Sequence, residues 1–348
     1  MALTSDIQID TAGDLKLLVQ HCEDWVTFQV SSKAMSLASP VWRTMLDPNG
    51  PFRESQSDNN EITFPDDDAK ALLNLLLVAH LRFQDVPKEL TFEQLLNVCI
   101  LCDKYDCITL VRPWIWRWQE RQIHLPWEIL SEEWLFIAWT TGDEAKFRRT
   151  AQSLILHANT DESGAFNDAR LSELVMPPGF IEGVPEARRQ TIAKLIELIH
   201  SLVVRKGTDG EPLHCIARDL VVAKDREACD DLSTNSLVSQ LRGTSFQMPL
   251  WPSRPDEIAS RYPGPINELI DNLRKMKYTT HPDGRHSRCG FETDLRMGVG
   301  KIEEEMPSGM NDSHRRHMAA QRSKLDQSLS FLGQLGSPRQ PSSPEEKN

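Results

Sequence analysis

The stretch that decides the fold is residues 15–46, which read LKLLVQHCEDWVTFQVSSKAMSLASPVWRTML. Two runs of apolar, β-branched and aromatic residues, 15–20 and 25–30, flank the polar segment 21–24. This arrangement predicts a β-hairpin. The residues that follow have a helical composition, and Pro40 divides them. The sequence therefore predicts two short helices over 33–46.

The residues after this stretch predict one more strand and then helices. Residues 61–64 (EITF) have strand composition, and three aspartates at 66–68 precede a helix whose apolar residues recur at helical spacing over 69–80. Acidic residues in that place either cap the helix N-terminus or bind a metal, and capping is the favoured interpretation. Further helices are predicted at 92–105 and 108–120. Strands followed by helices with short links indicate an α+β fold.

The remainder of the chain predicts a mostly α-helical domain over 121–297, with no strand signal. Its predicted helices are 127–140, 144–157, 186–206, 224–241 and 265–276. From about residue 298 the chain becomes polar and loses periodicity, which predicts a largely disordered tail over 298–348.

Composition narrows the class of protein. The chain has 348 residues, 39% of them hydrophobic, with a formal net charge of −12 and seven cysteines. The acidic balance disfavours direct binding to nucleic acid or to anionic membranes. The first residues have no signal-peptide pattern, no apolar run is long enough for a membrane span, and the few scattered cysteines fit reduced thiols. We therefore expect an intracellular protein, cytoplasmic and/or nuclear.

Several segments, in the right order, resemble the fungal branch of the BTB/POZ family. The first segment begins the first predicted strand, and the second leads from the second strand into the helix pair. The third forms the third strand and the start of the next helix, and the last two lie in later helices. The segments are 13–17 (GDLKL), 28–33 (FQVSSK) with 39–45 (SPVWRTM), 62–68 (ITFPDDD), 101–107 (LCDKYDC) and 113–118 (PWIWRW). The resemblance covers residues 12–120 and implies a BTB/POZ-like interaction domain of short strands flanked by helices.

What the resemblance implies is binding to other proteins. Family members recruit clients to cullin-type ubiquitin ligases or act in transcriptional co-repression. Cullin-binding members carry an apolar–x–Glu triplet after the second helix of the pair, and Phe52-Arg53-Glu54 stands at that place. Alternatively, Phe52 packs on its own domain and Glu54 is merely solvated. Ser32 replaces a histidine common in animal members, and the polar residues before the hairpin leave self-association open.

Two groups of cysteines invite interpretation. Cys99-x-x-Cys102 with Cys107 lies in an apolar helical stretch, which favours core packing. Cys215, Cys229, His286 and Cys289 can supply four ligands of a structural zinc site, with His214 or His281 as alternates. The other interpretation of this second group is four ordinary residues without a metal.

We find no catalytic motif: G-x-S-x-G, the Walker P-loop, H-E-x-x-H and a complete G-x-G-x-x-G are all missing from the sequence. The expected function is therefore a non-enzymatic adaptor, with no catalytic residues. The alternative is a transcription-associated regulator, motivated by the basic segment His314-Arg315-Arg316-His317 and by Ser-Pro sites at Ser337 and Ser343.

Overall fold

The computed structural model describes residues 6–51, 60–122, 132–159, 174–203, 215, 217, 222–243, 254–277, 282–287 and 289–326. The chain divides into two compact units, which differ in extent from the domains predicted from the sequence. The first unit is Met1–Phe147 with Asp312–Asn348, and the second is Arg148–Asn311. The first unit is thus discontinuous in sequence.

The first unit contains a four-stranded sheet. Its strands are β1 (Asp6–Gln8), β2 (Leu15–His21), β3 (Asp24–Val30) and β4 (Glu61–Phe64), in the order β1-β3-β2-β4. Strands β2 and β3 form the predicted antiparallel hairpin, β4 runs parallel to β2, and β1 runs parallel to β3. The sequence did not predict β1. Alternate residues of the hairpin are buried, as a sheet with one covered face requires.

In the part of the first unit that the structure describes, seven helices lie wholly within the unit beside the sheet, and their order agrees with the α+β class that the sequence predicts. They are α1 (Ser32–Ala38), α2 (Pro40–Met45), α3 (Ala69–Ala79), α4 (Phe92–Lys104), α5 (Arg112–Glu120), α6 (Trp134–Thr141) and α13 (Asp312–Asp326). Ser39 both ends α1 and caps α2, so Pro40 starts a new helix as expected. A 3₁₀ turn, Ile108–Val111, precedes α5.

The aspartates before α3 have structural roles. Asp68 caps the helix by accepting a hydrogen bond from the Ala71 N–H at 2.8 Å, which confirms the capping interpretation for this residue. The carboxylate of Asp67 is buried and accepts hydrogen bonds from Lys104 Nζ, at 2.6 Å, and from the Tyr105 hydroxyl. Burial raises the pKa of Tyr105 well above its usual range, and the bond to Asp67 adds to this, so the hydroxyl remains a donor.

Helix α5 has apolar side chains on two sides. Trp118 is fully buried, and its indole N–H donates to the Pro87 carbonyl at 2.9 Å. Trp116, on the other side, is 40% exposed and lies under the guanidinium of Arg322 on α13.

Within its described residues, the second unit is helical. Its helices are α8 (Val184–Val203), α9 (Ala223–Gly243), α10 (Pro255–Arg261), α11 (Ile266–Lys275) and α12 (Glu292–Glu304). Helix α7 (Glu144–His157) contains the boundary between the units. The sequence predicted α7, α8, α9 and α11, but neither α10 nor α12.

The buried guanidinium of Arg188 organises the second unit locally. It donates to the carbonyls of Ala158, at 2.6 Å, and Gly264, at 2.9 Å. The first carbonyl follows the end of α7 and the second lies just before α11. Burial lowers the pKa of Arg188. One α8 side chain therefore joins two segments that are far apart in sequence.

The prediction of a disordered tail is wrong for most of residues 298–326. Helix α12 extends from Glu292 to Glu304, and α13 from Asp312 to Asp326. The buried side chains of α13 are His314, Met318, Gln321 and Leu325. Two of these four are polar, so a search for apolar periodicity misses this face. Residues 327–348 lie outside the described part of the chain.

Candidate metal centre

Four side chains of the second unit meet in one buried place, which we call the Cys–His cluster. They are Cys215, Cys229, His286 and Cys289, and their potential ligand atoms all lie within 4.8 Å of one another. Each side chain is at most 5% exposed. The structure therefore brings together the whole set that the sequence predicts.

Three separate segments contribute to the Cys–His cluster. Cys215 precedes α9, whereas Cys229 lies in the second turn of that helix. His286 and Cys289 lie together in the segment before α12. The cluster thus connects residues that are up to 74 positions apart along the chain.

A tight turn places His286 and Cys289 side by side. Asp283 caps the 3₁₀ turn Gly284–His286 by accepting a hydrogen bond from the Arg285 N–H at 2.9 Å. The Cys289 N–H then donates to the His286 carbonyl at 2.9 Å. This backbone arrangement lets two residues separated by two positions present their side chains to one point.

The distances inside the cluster suit ligands of a common ion. The Nδ1 atom of His286 lies 3.4 Å from Cys215 Sγ and 3.8 Å from Cys289 Sγ. In a tetrahedral site with Zn–S bonds of about 2.3 Å and Zn–N bonds of about 2.0 Å, sulfur and nitrogen ligands lie about 3.5 Å apart. The two observed distances lie on either side of that value.

The thiols of the cluster are not joined by disulfides. Burial raises the pKa of Cys215, and the neighbouring Cys289 adds to this, whereas a hydrogen bond from the Ala217 N–H opposes it. Around the sulfurs, the buried apolar contacts form a small group of the three cysteines and Ala217. This group offers little apolar area to hold three segments together.

The other sequence-predicted candidates have different outcomes. The triplet Phe52-Arg53-Glu54 and the alternate ligands His214 and His281 lie outside the described residues. Cys99, Cys102 and Cys107 are all buried in the first unit, and burial raises the pKa of Cys99 to about 12. Core packing of these three thiols is confirmed.

The sequence did not predict an apolar groove on the first unit. The groove has a volume of about 1090 Å³, and its apolar lining comes from the end of α3, the start of α5 and the end of α13. Its lining includes Leu81, Phe83, Leu110, Trp114, Trp116 and Leu325. Leu81 and Phe83 are large and exposed, at 72% and 50%. The sequence feature that could have indicated the groove is the apolar pair Leu81 and Phe83 just beyond the end of α3.

Leu81 also has an unusual backbone. It follows α3 with φ +61°, in the left-handed region, and the Arg82 N–H donates to the Leu77 carbonyl at 2.8 Å. Glycine or asparagine normally occupies this place after a helix. A branched side chain there costs about 1 kcal/mol, so an exposed leucine is a departure from what stability alone favours.

No family model, curated protein or solved structure matches the chain. Among the helices of the described ranges, none combines the length and the apolar character that a bilayer crossing requires.

Proposed function

We propose that this chain is a non-enzymatic protein–protein adaptor whose first unit is a BTB/POZ-like interaction module. The observation that carries the proposal is the apolar groove, with Leu81, Phe83 and Trp116 exposed along it. Contiguous exposed apolar surface with aromatic side chains is typical of sites that bind other proteins. The partner we propose is a protein segment that inserts apolar side chains.

The strained backbone of Leu81 adds support. A left-handed leucine that is 72% exposed gains little from packing on its own unit. Backbone strain without a structural benefit is often found where a side chain serves binding. We infer that the Leu81 side chain contributes to partner binding rather than to folding.

The order of elements supports the BTB/POZ-like assignment. The hairpin β2–β3 is followed by the helix pair α1–α2, by β4 parallel to β2, and by further helices. This is the order that the sequence resemblance implies. We propose a cullin-type ubiquitin ligase as the scaffold to which this adaptor binds.

The test is affinity purification of the full chain, with bound proteins identified by mass spectrometry. The variants are Leu81→Gly, Phe52→Ala/Glu54→Ala and the control Leu37→Ala, which alters a leucine of α1 that is 70% exposed and is not among the groove residues. We expect Leu37→Ala to retain the partners of the wild type and Leu81→Gly to lose at least one of them. Loss of a cullin subunit with the Phe52/Glu54 variant would identify a ligase adaptor.

Leu81→Gly separates binding from folding. Glycine removes the backbone strain, so we expect the variant to be as stable as the wild type or more stable, by up to about 1 kcal/mol. Loss of a partner therefore cannot be attributed to unfolding. Identical partners for the wild type and Leu81→Gly would contradict the proposed role of the groove.

The transcription-associated alternative has weaker support. Its basic segment lies on α13, where His314 is buried and Arg315 pairs with Asp312 at 3.0 Å. His317 stacks on Trp139. Since these side chains are engaged within the first unit, we do not propose a role for them in nuclear binding.

A further inference from the structure

We propose that the Cys–His cluster is a closed, structural Zn²⁺ site that holds three segments of the second unit together. The proposal is independent of the adaptor function, because all four ligands belong to the second unit. Three thiolates and one imidazole are a ligand set that zinc accepts in tetrahedral structural sites. Calcium and magnesium are excluded because they require oxygen ligands.

The geometry already approximates a coordination shell. In a tetrahedral zinc site, neighbouring sulfurs lie about 3.8 Å apart. Every pair of ligand atoms in the cluster lies within 4.8 Å. Zinc binding would therefore require movements of about 1 Å or less.

The burial of the ligands favours a structural role over a catalytic one. Catalytic zinc sites use three protein ligands and keep a fourth position open for water or substrate. Here four side chains converge, and none is more than 5% exposed. A tetrahedral ion would have no position left for substrate.

Zinc binding releases protons from the ligand thiols. Three thiols lose their protons and the neutral imidazole donates its Nδ1 lone pair, so Zn²⁺ binds with loss of three protons and leaves one net negative charge. The N–H of Ala217, already directed at Cys215 Sγ, can stabilise that charge. Metal-bound thiolates commonly receive such support from outer-shell hydrogen bonds.

The ion would supply stabilisation that the local sequence lacks. Helix α9 is rich in polar and charged residues, and among the described residues the buried apolar group at the sulfurs consists of three cysteines and one alanine. Zinc would link Cys215, the N-terminal part of α9 and the turn before α12. Because unfolded chains rarely hold a preformed site, binding of the ion adds directly to folding stability.

The first experiment measures metal content. The full chain is purified under reducing conditions, and its zinc content is measured by inductively coupled plasma mass spectrometry. We expect one zinc per chain in the wild type, none in Cys215→Ser, and one in Cys22→Ser, which removes the exposed cysteine of the first unit. Cys289→His replaces one zinc ligand by another, so it should retain metal where Cys289→Ser does not.

A second measurement remains informative if the serine variants unfold. Zinc is removed from the wild type with a chelator, Co²⁺ is added, and the visible spectrum is recorded. We expect the absorption of tetrahedral thiolate-bound cobalt, its disappearance when Zn²⁺ is added, and a lower thermal midpoint in the metal-free chain. Folded wild type with no zinc and no such cobalt spectrum would overturn the proposal, as would a disulfide between two of the three cysteines in protein purified without a reductant.

Discussion

Trp139 and His317 stack face to face, with ring centroids 3.8 Å apart and ring planes 9° apart. Trp139 lies on α6 and His317 on α13, so the contact packs a helix from near the end of the chain against the earlier part of the first unit. Burial lowers the pKa of His317, and the charge of Lys324 adds to this. Both effects favour the neutral ring over the imidazolium, and a neutral ring can stack on an indole.

If α13 is part of the core of the first unit, shortening one of its buried side chains should destabilise the protein. Met318 is 1% exposed, so Met318→Ala is expected to cost about 2–4 kcal/mol in free energy of unfolding. Arg315→Ala, on the exposed face of the same helix, should change it by about 0.5 kcal/mol or less. Chemical denaturation followed by tryptophan fluorescence compares them, and equal effects would contradict this role of α13.

Two glycines are expected to respond oppositely to alanine. Gly142 ends α6 with φ +73°, and a Cβ there would collide with the Met318 carbonyl oxygen. Gly142→Ala should therefore destabilise by more than about 1 kcal/mol. Gly300 lies inside α12 with open space where a Cβ would stand, so Gly300→Ala should stabilise by up to about 1 kcal/mol. Thermal unfolding of the two variants, compared with the wild type, checks both signs.

Ser39 lies between α1 and α2, and its hydroxyl forms hydrogen bonds both to α2 and to a carbonyl that is distant in sequence. Its hydroxyl donates to the Tyr105 carbonyl at 2.6 Å and accepts from the Trp42 N–H at 3.0 Å. Ser39→Ala loses a helix cap and leaves a carbonyl without this donor, which should cost about 2 kcal/mol. Ser36→Ala removes a hydroxyl that donates to the Ser32 carbonyl inside α1, at 2.9 Å, and should cost about 0.5 kcal/mol or less. Urea titrations give both values, and similar losses would exclude a special role for Ser39.

Asp103 should make stability fall as pH rises. Burial raises its pKa to about 6, Asp106 adds to this, and Lys324 opposes it. The folded pKa lies above the ordinary value of 3.8, so the contribution of Asp103 to stability is fully present below about pH 4 and is lost as pH rises through about 6. Asp103→Asn should therefore stabilise the chain at pH 8, on the order of 1 kcal/mol after allowance for screening of this partly exposed group.

The control for this prediction is the same pair of proteins at low pH. At about pH 3, Asp103 is mostly protonated in both the folded and the unfolded chain because both pKa values lie above that pH, so the advantage of Asp103→Asn should shrink towards zero. Urea unfolding at about pH 3, 6 and 8 measures the difference. An advantage that does not depend on pH would show that the carboxylate charge is not its cause.

The hairpin and α3 could be predicted because their signals are local. Alternation of buried residues in 15–30 and helical spacing in 69–79 follow directly from the residue types. Strand β1 has only three residues and forms through parallel pairing with β3, so its own sequence carries little information. Helix α13 was missed because His314 and Gln321 occupy half of its buried positions.

The sequence could predict which residues form the candidate metal site, but not how they come together in space. Residue type and the His286-x-x-Cys289 spacing identified two ligands together, whereas Cys215 and Cys229 were included without a close pair spacing. Their approach to His286 depends on how distant segments pack. The groove was not predicted at all, because it is assembled from α3, α5 and α13, and α13 was expected to be disordered.

The discontinuity of the first unit has a consequence for how the protein is made. A ribosome adds about 5–20 residues per second, so on the order of ten to thirty seconds separate the emergence of Trp139 from that of His317. During that interval the hairpin and α1–α6 exist without α13, and the face that will receive Met318 and Leu325 is uncovered. A nascent chain stalled before residue 312 would therefore present an apolar surface to chaperones that the finished protein conceals.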